Sequence, residues 1–313
     1  LTPIESIAKN MKATIIQTNL PLQLGNLKIS KPWGYETWYT GVEKRGVVRV
    51  VDQNGKTELP YSLNIFKKQI IGNSPDDLIL LKKLNPYAEE VLGDLYYEMH
   101  EKKWEVYVVT EIDESAWPEG IAIIKAGLNP NKISEYKKIN GKNWKKYFIK
   151  DFKEATNEYE NLRNKIDNKE ISTKYLLSQE SELRKKAASF VGDCYVKKGD
   201  IVSFPPFQIH SLQHGIKVIE FQTPHYERLI VMFGQKVVTQ NNWDSEEALD
   251  KIIPNVYKPP KLEILHKSSG ILLERFVNFP NFTADRLSLE PEFIWKEKIN
   301  DQYHILIAIA GQA

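Results

Sequence analysis

Two stretches, Gly93-Asp-Leu-Tyr-Tyr-Glu98-Met-His100-Glu-Lys-Lys-Trp-Glu105 and Gly199-Asp-Ile-Val-Ser-Phe-Pro205-Pro-Phe-Gln-Ile-His210, decide how this chain is read. In the first, the apolar and aromatic residues around Glu98 point to a β-strand. Side chains two apart on a strand share a face, so Glu98 and His100 point the same way. A tight turn over Glu101 to Lys103 then brings Glu105 back within reach. In the second, Gly199 to Phe204 feeds a turn, Pro205-Pro206-Phe207, that presents His210. Together they offer two imidazoles and two carboxylates, Glu98, His100, Glu105 and His210, from opposite walls of a small barrel. That donor set suits Zn2+, Fe2+, Mn2+ or Ni2+, and its lack of cysteine argues against a closed structural zinc site.

Around these segments the pattern is mostly β. Val47 to Val51 and Tyr61 to Phe66 read as strands about an Asn54-Gly55 turn, a strong hairpin signal. Further strands are expected at Leu78 to Leu81, Leu95 to His100, Trp104 to Val109 and Ile121 to Ala126, with a short helix near Ile7 to Met11. Residues 144–188 change character: Phe152, Ala155, Tyr159 and Leu162 repeat at helical spacing, and Leu183, Ala187 and Phe190 do so more weakly. This block reads as a helical insertion between barrel strands. Strands resume at Cys194 to Val196, Ile201 to Phe204, Ile216 to Gln222 and Arg228 to Phe233. The expected organisation is a metal-binding barrel over 1–143 and 189–235, the insertion over 144–188 and a connector over 236–261, with a short helix near Ser245 to Ile252. A second, incomplete β-region over 262–313 has strands at Lys261 to Leu265, Ile271 to Phe276, Ala284 to Leu289 and Tyr303 to Ala310. Too short for a full jelly roll, it implies a chain that continues or a half that borrows strands.

The bulk composition narrows the function classes. With 313 residues the chain can bury a sizeable core, and 42% hydrophobic with 27% charged residues is ordinary for a globular protein. A net charge of +2 argues against nucleic acid or an anionic membrane as partner, although lysines cluster from Lys142 to Lys150. No apolar run reaches the roughly 20 residues of a membrane span. The single cysteine, Cys194, excludes an internal disulfide and fits a reducing compartment, so a cytoplasmic protein is expected.

The two segments resemble the two motifs of the cupins, with Glu98 standing at the first of two histidines. Phe207 replaces the usual glycine of the second motif, and His214 stands where asparagine is common. Within the cupins the resemblance is closest to type I mannose-6-phosphate isomerases. Lys31-Pro-Trp33-Gly34 is similar to that family's N-terminal Trp-Gly segment, and Glu98-Met-His100 resembles its Gln-Val-His metal strand. Lys103-Trp-Glu105 resembles its Gly-Lys-x-Glu turn, and Val218-Ile-Glu220-Phe-Gln222 with Arg228 resembles its Glu-x-Gln strand and downstream arginine. The resemblance covers about residues 31 to 235. It implies a cupin jelly roll and a zinc-dependent aldose–ketose isomerase of a sugar phosphate. Carried over, Glu98, His100, Glu105 and His210 are the metal ligands, and Arg228 steadies the enediolate or the phosphate.

Glu98 in place of glutamine adds negative charge, which would lower the Lewis acidity of zinc; zinc is the metal expected first, with Mn2+ or Fe2+ as alternatives. Glu220, His214 and His225 are the candidates for the proton-transfer base, and Lys31, Trp33 and Arg228 for substrate binding. Trp38, Tyr96, Tyr97 and Trp104 are candidate walls of a sugar pocket. Two other functions fit the same residues: a cupin Fe2+ oxygenase and a non-enzymatic sugar-binding or regulatory cupin.

Overall fold

The structure is a computed structural model and describes residues 2–17, 20–64, 77–90, 95–168, 173–233, 242–298 and 302–311. Helix α1 (Pro3–Met11) precedes strands β1 (Leu27–Lys31) and β2 (Gly34–Trp38). Two small hairpins follow, β3 (Val42–Glu43) with β4 (Gly46–Val47) and β5 (Arg49–Val51) with β6 (Lys56–Glu58), then the helical turn α2 (Leu59–Leu63). Strands β7 (Leu80–Pro86), β8 (Tyr97–Met99), β9 (Glu105–Ile112) and β10 (Ala122–Leu128) lead into helices α3 (Pro130–Asn140), α4 (Trp144–Asp167) and α5 (Thr173–Ala188). The chain returns through β11 (Val191–Val196), β12 (Ile201–Phe204), β13 (His210–Ser211), β14 (Ile216–Gln222) and β15 (Leu229–Met232). Helix α6 (Ser245–Lys251) precedes β16 (Glu263–Ser268), β17 (Ile271–Asn278) and β18 (Thr283–Leu289).

Two antiparallel sheets form the two walls of a cupin-like barrel. One has the order β1-β2-β7-β14-β9-β12 and the other β11-β10-β13-β8-β15. Alternation along the strands gives each wall an inner and an outer face. Trp33, Leu84, Val109, Ile124, Val202, Leu212 and Val218 meet in the interior. The outer face of the five-stranded sheet carries Met99, Ile209, Val231 and Met232, which pack against Phe148, Phe152, Ala155 and Tyr159 of α4. The helical insertion thus covers that wall, and the face expected for α4 is the buried one. Met99 and Ile209 face the helices, so their neighbours Glu98, His100 and His210 are turned inward. On the other wall, Leu81, Val106, Val108, Ile201 and Ile219 pack against Phe276, Val277 and Ala284 of the three-stranded sheet β16-β17-β18.

Three expectations are corrected. The strand read at Tyr61 to Phe66 is, as far as it is described, the helical turn α2; Pro60 sits in its first turn, where a fixed φ and a missing N–H are harmless. Positions 65 and 66 lie outside the described residues. The helical block starts at Pro130 rather than Trp144, because Asn129 caps the backbone N–H groups of Asn131 and Lys132 and Pro130 follows it. The run Tyr303 to Ala310 belongs to no strand among the described residues. Its alternation is nevertheless used: Ile305 and Ile307 pack inward and Leu306 is exposed. The Tyr303 hydroxyl accepts from the Ile79 N–H. A hairpin does turn at Asn54-Gly55, but its second strand is β6 (Lys56–Glu58) and not the run from Tyr61.

Candidate metal centre

The four ligand candidates come from both walls. Glu98 on β8 lies directly across from His210 on β13, and His100 follows two residues after Glu98. Glu105 opens β9 on the facing sheet, between Phe204 and Gln222. Glu105 Oε2 is 2.9 Å from His210 Nε2 and 3.3 Å from His100 Nε2. His100 Nε2 is 4.0 Å from Glu98 Oε2. One ligand atom each from Glu98, His100 and His210 fit within 4.8 Å of one another. Donors bound at about 2.0–2.2 Å around one tetrahedral ion sit roughly 3–3.5 Å apart, so these separations are close to those of a coordination shell. Gly93 and Asp94, which open the first sequence segment, lie outside the described residues.

The imidazoles are oriented by their far sides. His100 Nδ1–H donates to the Glu227 carbonyl at 2.8 Å, and His210 Nδ1–H donates to the Gln208 carbonyl at 3.0 Å. A carbonyl only accepts, so each ring carries a proton on Nδ1 and turns Nε2 to the centre, where neutral His100 offers a lone pair and His210 bonds Glu105 at 2.9 Å. His100 Nε2 is buried without a hydrogen-bond partner. A lone pair left bare in the interior, beside two carboxylates, is matched by a cation and by little else. The residues present therefore fit a divalent metal. Phe204 stacks on His210 at 4.1 Å and 11° and closes its back.

The electrostatics agree with that fit. Burial acts to lift the Glu105 carboxyl, but Lys103, whose Nζ is 2.8 Å from Oε1, and His100 hold it well below its usual value. Burial acts the same way on Glu98 and is outweighed by His100 and Lys103. Burial and then Lys103 push His100 down, keeping it neutral. Burial would also lower His210, yet its hydrogen bond to Glu105 raises it.

Glu220 is the third buried carboxylate at the centre. On β14 it faces Lys82 of β7, with Oε2 3.1 Å from Lys82 Nζ. Burial and the charge of Glu105 push it well above the usual range, against the pull of Lys82. Lys82 stays charged, held by Glu220 and Glu36 against its own burial. Glu36 accepts from Trp38 Nε1 at 2.6 Å and pairs with Lys31 at 3.4 Å.

These groups line one cleft. Lys31, Trp33, Trp38, Arg45, Tyr96, Lys103, His225 and Arg228 line it together with Glu36, Glu98, Glu105 and Glu220. Arg228 lies over the Tyr96 ring at 4.4 Å, and Arg45 over Tyr226 at 3.6 Å. Lys82 also lines it, so five cationic side chains share one opening with Glu98 and Glu105. Trp33 Nε1 and Gln222 Oε1 are buried at its wall without hydrogen-bond partners.

Some expected site residues are elsewhere. His214 stacks on Trp117 at 5.3 Å just before Ile216, the first residue of β14. Glu220 is four residues further along that strand, about 13 Å at 3.3 Å per residue. His214 is thereby removed from the centre. Tyr97 alternates with Glu98 and packs outward against the insertion. Trp104 packs at a tilt against Phe279 of the β17–β18 connection, with ring centroids 4.7 Å apart.

One functional residue escaped the sequence reading. The Glu227 carboxylate accepts from the N–H groups of Glu101 (3.0 Å), Lys102 (2.7 Å) and Lys103 (3.1 Å), while its carbonyl holds His100. It fixes the turn that swings Glu105 back to His100. Phe207, at the position where cupins carry glycine, has φ +63°, the left-handed region that glycine adopts freely. Its N–H donates to the His100 carbonyl at 2.7 Å, tying the two metal segments together.

No protein-family model matches the sequence, and none of the curated proteins matches it. Solved structures do. Mannose 6-phosphate isomerase from Bacillus subtilis superposes with a TM-score of 0.56 at 15% identity, over 86% of this chain and 80% of that one. A variant of phosphomannose isomerase from Salmonella typhimurium gives 0.57 at 11% identity, over 84% and 82%. A zinc-bound mannose 6-phosphate isomerase gives 0.54 at 11%, over 84% and 82%. The fold is that of the mannose-6-phosphate isomerases. At 11–15% identity the likeness is one of fold, and the donor set fit for a divalent metal is this chain's own. No helix among the described residues is long and apolar enough to cross a membrane.

Proposed function

We propose that the protein is a metal-dependent aldose–ketose isomerase of a sugar phosphate, with mannose 6-phosphate the first substrate to test and zinc the first metal. The observation that carries this reading is the convergence of Glu98, His100, Glu105 and His210 beside a cleft that Glu98 and Glu105 line together with a further buried carboxylate, Glu220, and several cations. When bound, the ion supplies Lewis acidity toward the sugar oxygens and a template for them.

The chain's own residues do the remainder. Aldose–ketose exchange moves a proton between C1 and C2 through a cis-enediol. Glu220 is our candidate to take that proton and return it: it is a carboxylate on the cleft's wall, and burial with the charge of Glu105 raises its affinity for a proton. Lys82, 3.1 Å away, steadies Glu220 whenever it is ionised. Arg228 lies near Glu98 in the cleft and offsets negative charge that develops on the enediol. Lys31 and Arg45, on the cleft's wall, are suited to a phosphate. Trp33 Nε1–H and Gln222 Oε1 are a donor and an acceptor for sugar hydroxyls.

The test is an NMR assay of mannose 6-phosphate and a panel of other aldose phosphates. Interconversion is expected with zinc-loaded protein, lost on chelation, restored by metal and abolished in His210→Ala. Metal-loaded protein that turns over no member of the panel would sink the proposal.

A further inference from the structure

The connector after α6 does more than join two β-regions. Residues 252–257 run back across the corner where the chain passes from β12 on one wall to β13 on the other, the corner that delivers His210. The Ile253 N–H donates to the Phe207 carbonyl at 3.1 Å, and the Leu128 N–H donates to the Asn255 carbonyl at 2.8 Å. Val256 bridges to Gly127. Gln208 Nε2 donates to Asn255 Oδ1 at 3.3 Å, and the Tyr257 hydroxyl accepts from the Ser203 N–H at 3.1 Å. β12 is an edge strand, so Ser203 would otherwise turn that N–H outward. The Tyr257 ring lies 5.8 Å from Phe204, which is stacked on His210.

The corner is therefore fastened on both sides. Tyr257 fixes Ser203 and Phe204 at its start, and Ile253 with Asn255 fixes Phe207 and Gln208 at its end. Both supports of the His210 ring, the Phe204 face and the Gln208 carbonyl, are among the residues held. The close fit leaves room only for glycine at 127: φ is +61°, and a Cβ there would lie 2.6 Å from Tyr257 N and 2.8 Å from Gln208 Nε2.

We propose that segment 252–257 is a brace that sets the His210 imidazole toward the ion, with Asn255 and Tyr257 as its positioning residues, a reading that rests on His210 being a ligand. Without the brace His210 keeps its chemistry and loses its aim. Residues that orient a ligand from behind typically account for tenfold to hundredfold in metal affinity.

The experiment compares wild type, Asn255→Ala, Asn255→Asp, Tyr257→Phe and Gly127→Ala. Three quantities are measured on each: zinc affinity by competition with a chromophoric chelator, the His210 Nδ1–H resonance of zinc-free protein, and the melting temperature. Asn255→Ala is expected to weaken zinc about tenfold or more and to shift or broaden the His210 resonance. Asn255→Asp keeps the acceptor for Gln208 and should stay within about threefold of wild type. Tyr257→Phe keeps the ring and should fall between the two, and Gly127→Ala should match or exceed Asn255→Ala. A merely structural segment would lower the melting temperature with zinc affinity and the His210 resonance unmoved. That result, or equal losses in Asn255→Ala and Asn255→Asp, overturns the brace. If wild type itself binds no zinc, the metal reading fails separately. The His210 resonance of Asn255→Ala then decides whether the segment positions the ring: displaced, that part of the proposal holds without the ion; unchanged, it falls as well.

Discussion

Replacing Glu227 by alanine removes one carboxylate and strips three backbone donors of their acceptor, the N–H groups of Glu101, Lys102 and Lys103. Hydrogen bonds to a charged acceptor contribute about 1.5–3 kcal/mol each, so the gross loss is large. Water offsets most of it. Lys102 is exposed and Glu101 half-buried, while Lys103 is buried and leaves its N–H bare. Discounted for that access, the net cost is about 2 kcal/mol, which lowers the melting temperature by roughly 3 °C in a chain of this length. Zinc affinity should fall about tenfold to hundredfold, because the loosened turn misplaces Glu105 and the carbonyl that holds His100. Glu227→Gln keeps an acceptor without the charge and should lie between. Calorimetry and chelator competition measure both effects. An alanine variant with wild-type zinc affinity would refute the argument that this turn aims the ligands, whatever its stability.

Other consequences can be checked alongside. Glu220→Gln should keep its metal and lose about 10²–10⁴-fold in isomerase turnover, whereas His214→Ala, stacked on Trp117, should retain near wild-type turnover; steady-state kinetics with metal analysis separates them. At Phe207 the left-handed backbone makes Phe207→Gly about 1 kcal/mol more stable than Phe207→Ala in urea unfolding, and equal stabilities would contradict the φ of +63°. Burial acts to raise Glu36, but Lys82, Lys31 and the Trp38 N–H hold it below its usual 4.5. Its contribution is therefore full above about pH 4.5 and lost as pH falls through the lower folded value. The stability gap between wild type and Glu36→Gln should be present at pH 7 and shrink on acidification below that point; a gap that widens in acid would reverse the assignment.

The sequence made some of this legible for definite reasons. Glu98 and His100 are two apart on one strand, and the period of a strand alone puts them on one face. The Pro205-Pro206 turn before His210 marks a change of wall, and α4 announces its buried face at helical spacing. Glu227 was not legible, because it reaches the metal turn from 127 residues away in sequence and acts partly through a backbone carbonyl. The brace was illegible for a similar reason: Asn255 and Tyr257 look like ordinary connector residues until β10 and the corner of β12 are beside them. Tyr61 and Tyr303 mislead because alternation of apolar residues reports burial on one side and not whether a ladder partner exists. Tyr303 to Ala310 alternates against the core without joining a sheet.

One measurement addresses the centre directly: an anomalous-difference map from crystals grown with zinc, collected on either side of the metal's absorption edge. The account predicts a single strong peak about 2.0–2.2 Å from His100 Nε2 and His210 Nε2, with oxygens of Glu98 and Glu105 completing the shell. A map without density there, or with the His210 ring turned away and still bonded to Glu105 alone, would contradict it.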